Sequence, residues 1–193
     1  MKDFNKDKIF FFDCFNSELT IRPSSVYHAY LAILADDLDS AEKVFSEIDS
    51  PRGKWGMSFV SILKGFMTVY PTYFGIRNFL EIDLDFLLKN EKINYVEQCL
   101  GALEILSSIN QETYKFAARV MLENHLYSSA LKYMDRSKQI YYNDPELHYM
   151  YAKYYLETNN LSEACFYVNE CLNLLPDYYP ARLLKQRIEE IGN

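Results

Sequence analysis

The sequence predicts an all-α fold of about ten short helices arranged as stacked antiparallel hairpins. Three observations carry this. Apolar residues recur at helical spacing along most of the chain, and no segment sustains strand alternation. Gly and Pro number only six each, too few for the turn-rich sandwiches and barrels. Small and apolar residues also recur at a period of 34 through the second half, the mark of a repeated supersecondary unit.

The expected helices are 24–35, 38–49, 54–69, 73–89, 92–107, 111–124, 127–141, 145–157, 161–174 and 179–191. Pro23 fixes its backbone angle, and Ser24 and Ser25 offer capping oxygens for the first. Asp36-Asp37 and Asn159-Asn160 are polar connectors between apolar periods. Pro51, Pro71, Pro145 and Pro180 stand at or near helix starts, where a missing N–H costs little. In Asn143-Asp144-Pro145-Glu146, Asp144 caps, Pro145 takes the first turn and Glu146 faces the positive helix end. Pro176-Asp177 closes the helix before it. Lys8–Cys14 is the nearest candidate for a strand and reads equally as a short helix or an extended cap. Connectors of a few residues make successive helices antiparallel.

The chain has 193 residues, 49% hydrophobic and 24% charged. That length supports one sizeable core and that composition excludes a disordered chain. The net charge of −7 is spread evenly and leaves no basic arm, which argues against nucleic acid. The N-terminal apolar stretch, Ile9–Phe12, is too short for a signal-peptide core, so a cytoplasmic location is expected. Met57–Ile76 carries only Lys64 as a charge, yet Lys64, Pro71 and Gly75 interrupt it. A helix buried by its neighbours is expected there rather than a membrane span. Cys14, Cys99, Cys165 and Cys171 form no C-x-x-C pair, so buried reduced thiols are expected, with neither metal nor disulfide framework.

The repeat stands on several columns. Leu84, Ala118 and Ala152 are 34 apart, as are Val96, Ala130 and Ala164. Leu88, Leu122 and Leu156 keep the same interval, and so do Leu100, Met134 and Val168. Within each unit the two small positions are 12 apart, a gap that Ala29 and Ala41 share. Small residues belong where paired helices come closest. A hairpin cannot bury its face alone, so several must stack.

These residues make the sequence resemble the tetratricopeptide repeat family. Pro145–Tyr178 matches best: His148, Tyr151, Ala152 and Tyr155 stand at the Trp, Leu, Gly and Tyr of the first-helix pattern. Ala164 and Val168 stand at its Ala and Phe, and Pro176 at its closing Pro. The unit from Gln111 keeps Ala117, Ala118, Met121, Ala130 and Met134, and the one from Arg77 is degenerate. The resemblance implies one right-handed helical-repeat domain over 1–193. Its parts are an N-terminal capping segment 1–22, a first hairpin 23–50, an irregular insertion 51–76, three repeats over 77–176 and a polar capping helix 177–193. The interval from Ala41 to Val96 is 55, which is 34 plus 21, and marks the irregularity.

No P-loop, dinucleotide fingerprint, H-E-x-x-H or E-x-x-H is present. His28, His125 and His148 are scattered, with His148 expected to pack. Asp83 and Asp85 are expected to face solvent. Neither an enzyme nor a cofactor is expected. In the family, first helices line a concave groove, which implies a row of Lys115, Arg119 and Leu122, then Tyr149, Lys153 and Leu156, then Leu183 and Arg187. This basic row suits a protein or peptide carrying acidic groups. The expected function is a non-catalytic scaffold or adaptor. The alternatives are a chaperone for one client, such as a secretion substrate, and, lower, a small-molecule binder or enzyme. Phe10, Phe11, Phe12 and Phe15 are expected to cap the first hairpin or fill a groove, or else to form a dimer contact. The chain is thus expected to be a monomer or a weak homodimer.

Overall fold

The structure is a computed structural model that describes residues 26–192. The segment 1–22, with its Phe cluster and Cys14, lies outside the described residues. Among the described residues there are eleven helices and no strand. They fall into two compact units, one ending at Pro71 and one starting at Thr72.

The first unit holds α1 (Val26–Leu34), α2 (Leu38–Ser46) and α3 (Pro51–Leu63), packed in succession. Ala29 and Ala41 are fully buried, and Tyr30 meets Phe45 edge-on at 5.8 Å. Asp37 caps α2 by accepting from the Ser40 amide, and Ser50 caps α3 by accepting from Gly53. A Cβ at Gly56 would lie 2.2 Å from the Phe45 ring, so glycine lets α3 reach α2. The expected 54–69 helix starts earlier, at Pro51, and stops at Leu63. Gly65, at φ 86°, turns the chain just beyond its end. Lys64 then bridges Asp39 and Glu42 of α2 at 2.6 Å each, which neutralises the one charge in the Met57–Ile76 run. Among the described residues no helix is long and apolar enough to cross a membrane.

The second unit begins with α4 (Tyr73–Lys89), α5 (Ile93–Gly101) and α6 (Leu103–Ile109). It continues with α7 (Thr113–Glu123), α8 (Tyr127–Ile140), α9 (Pro145–Glu157), α10 (Leu161–Leu174) and α11 (Tyr179–Gly192). The expected 92–107 helix divides at Ala102, whose amide is shared between the Gln98 and Cys99 carbonyls. Gly101 has no side chain to brace that turn. The pairs α7–α8 and α9–α10 are hairpins, and α4, α7, α9 and α11 pack side by side in that order. Most members of the 34-residue columns lie in the core of this stack, while Leu88 and Leu100 are half-buried. Leu84, Ala118, Ala130, Ala152, Ala164, Met134 and Val168 are all fully buried.

The connectors repeat as strictly as the core. Asp36, Glu91, His125 and Asn159 each take a positive φ, near 60°. In each case that residue's own amide and the next one donate back to the helix end: His125 to the Leu122 carbonyl and Leu126 to Met121, Asn159 to Leu156 and Asn160 to Tyr155. This is the Schellman arrangement, which satisfies the last carbonyls and reverses the chain.

The tyrosines between α8 and α10 form one stack. Tyr151 lies 4.7 Å from Tyr167, and Tyr155 lies 5.5 Å from it. The Lys138 ammonium sits over the Tyr142, Tyr151 and Tyr167 rings at 5.2–5.5 Å. His148 is buried between Tyr142 and Tyr167, as a packing residue. Two expectations are corrected. Asp83 is fully buried rather than solvent-facing, since residues two apart point to different sides and Asp85 takes the outer one. Burial, with the Asp83 charge adding, holds the Cys99 thiol protonated. The outer side of α11 is not simply polar: Tyr179, Leu183 and Ile191 are exposed along it.

Candidate binding face on the repeat helices

The side-by-side packing of α4, α7, α9 and α11 brings the residues of the expected groove onto neighbouring helices. They divide into two groups. At the α4–α7–α9 end, Lys115 is only 4% exposed. Its ammonium reaches Glu112 at 2.9 Å, Asp144 at 2.7 Å and Glu146 at 3.2 Å. Burial alone would lower its pKa, but the bonds to Asp144 and Glu112 outweigh that and raise it. Arg119 spans the helices on either side of its own, meeting Glu81 of α4 at 2.5 Å and Glu146 of α9 at 2.6 Å.

Two cations therefore meet four carboxylates, and this end of the face is acidic rather than basic. Burial pushes the Glu81 carboxyl up to about 7, with Glu146 and Glu123 adding to the rise and Arg119 opposing it. The ion pair by itself would favour the charged form; desolvation beside like charges is the larger effect. A shallow cavity of about 190 Å³ lies here, lined by Glu81, Ile82, Asp85, Arg119, Val120 and Glu123. Leu122 is 2% exposed and belongs to the core.

The α9–α11 end differs. Tyr149 and Lys153 are half-buried, Leu156 is buried, and Leu183 and Arg187 are exposed. Tyr149 packs edge-on against Tyr178 at 5.5 Å. Among the described residues neither Lys153 nor Arg187 forms an ion pair. A cavity of about 330 Å³ opens here, lined by Leu156, Glu157, Asn159, Leu161, Arg187 and Ile191.

Sequence reasoning missed Glu81, Asp144 and Glu146 as partners of the basic row, and Glu157, Leu161 and Ile191 as a cavity wall. A signal existed. Glu112 and Glu146 stand 34 apart, as do Glu123 and Glu157, so the acidic columns follow the same period as the basic ones. Among the described residues no group of His, Cys, Asp and Glu is placed to hold a metal ion. Cys99, Cys165 and Cys171 are free thiols.

The second unit is thus a helical, repeat-like stack with a face that is acidic and internally paired at one end, and apolar at the other, with two cations that have no carboxylate partner among the described residues. No protein-family model, no curated protein and no solved structure matches the chain.

Proposed function

We propose that the chain is a tetratricopeptide-like repeat protein acting as a non-catalytic adaptor, and that it holds a segment of another protein on the face formed by α4, α7, α9 and α11. One observation supports this above the others. The cations of the face divide into Lys115 and Arg119, committed to carboxylates on neighbouring helices, and Lys153 and Arg187, committed to none among the described residues. The first pair ties the hairpins together. The second pair, beside Tyr149, Leu183 and Ile191, offers charge and apolar area to a partner.

The test is affinity capture from native lysate with mass spectrometry, comparing the full chain with a Lys153→Glu, Arg187→Glu variant. The reading predicts a discrete protein partner whose recovery falls by roughly tenfold in the variant, with helix content unchanged by circular dichroism. Equal recovery by both proteins would remove this face from the binding site. A chain that retains no protein above a bead control would count against the adaptor function itself.

A further inference from the structure

The cavity at the end of the α9–α10 hairpin carries more than its position on the face. Leu156, Leu161 and Ile191 give it apolar walls. Two polar groups are left with capacity. Glu157 borders the same cavity, and its Oε2 atom is enclosed and without a hydrogen-bond partner among the described residues. Turning the carboxyl toward the cavity brings this unpaired acceptor to a ligand's donor. Arg187 lines the same cavity, is exposed, and has no carboxylate partner among the described residues. Its planar fork is shaped for a carboxylate. Lys153 occupies the equivalent position one repeat earlier, 34 residues before Arg187.

We infer that this cavity is an anchor site for one aliphatic residue of a partner segment. The aliphatic side chain packs on Leu156, Leu161 and Ile191, the segment's backbone N–H donates to Glu157, and an adjacent Asp or Glu pairs with Arg187. The volume, about 330 Å³, lies at the small end of ligand pockets, which run from about 300 to 1,000 Å³. It suits one side chain with its flanking peptide groups rather than a dinucleotide-sized cofactor. The mixed walls also select. An aliphatic residue flanked by basic residues would meet Arg187 and Lys153 with like charge. The inference rests on the adaptor reading and narrows it to a chemistry.

The experiment is selection of a random displayed-peptide library on the immobilised full chain, followed by fluorescence anisotropy with a synthetic peptide of the enriched consensus. The expected consensus places Leu, Ile, Val or Met next to Asp or Glu. Arg187→Glu and Ile191→Asp, both at exposed positions, are each expected to weaken that peptide by about tenfold or more. Arg136→Glu, an exposed change on α8, is expected to leave its affinity as it was. An enriched consensus without the aliphatic–acidic pair, or one bound equally by Arg187→Glu and Ile191→Asp, overturns the anchor site while the adaptor reading stands. Failure to enrich any peptide above uncoated support overturns both.

Discussion

A buried ammonium survives only where its partners compensate for the hydration it gives up. Lys115 has three carboxylates for this, and removing it would leave Glu112, Asp144 and Glu146 facing one another. Lys115→Met is therefore expected to destabilise the second unit by about 3 kcal/mol, measured by urea unfolding; a loss within experimental error would show the network to be incidental. Glu81 gives a prediction with a sign in pH. Its folded pKa, about 7, lies above its ordinary value of 4.5. Its contribution is thus fully present below the unfolded value and is lost as pH rises through the folded one. Relative to Glu81→Gln, the native protein should lose stability between about pH 5 and pH 8. Parallel urea midpoints for the two proteins across that range would contradict the assignment. At this scale the family resemblance picked out the basic positions but not their state. Arg119 and Lys153 occupy the same register and carry the same charge, yet Arg119 is held by Glu81 and Glu146 while Lys153 forms no ion pair among the described residues. The difference lies in what the preceding and following hairpins present, which no single column records.

The helical elements were legible at their starts and less so at their ends. Pro145 after Asp144 places a helix beginning where the structure has it, because cap and fixed φ act locally, whereas α3 starts at Pro51, three residues before its expected start. The stop of α3 at Leu63 is followed by Gly65, whose positive φ a glycine takes without strain, while the break between α5 and α6 falls at Ala102 with no residue type that announces it. The connectors are better defined than their composition suggests. Glu91 holds a left-handed conformation that a glycine would take without Cβ strain. Glu91→Gly should raise stability by about 0.5–1 kcal/mol, read as a higher melting temperature. A lower one would show that the Glu91 side chain does something beyond turning the chain. Gly56 predicts the opposite sign. Since a Cβ there would meet the Phe45 ring, Gly56→Ala should destabilise the first unit by about 1–3 kcal/mol.

At the scale of the whole molecule, the chain builds two cores from one kind of part. The regular period occupies the second unit, where Glu91, His125 and Asn159 mark successive hairpins 34 residues apart. The irregular interval, from Asp36 to Glu91, spans the boundary at Pro71. The all-helical class was legible because it rests on helical spacing and on the small buried residues of the repeat, which act the same way in every hairpin. The division of the face into an acidic paired end and an apolar cationic end was not, because it arises only when α4, α7, α9 and α11 lie side by side. Hydrogen–deuterium exchange of the full chain, with and without its captured partner, tests most directly where that partner sits. The predicted result is slowed exchange in the last turn of α9, the 158–160 connector and α11, with α8 unchanged. Slowed exchange on α8 and α10 with α11 unaffected would contradict it and place the partner elsewhere.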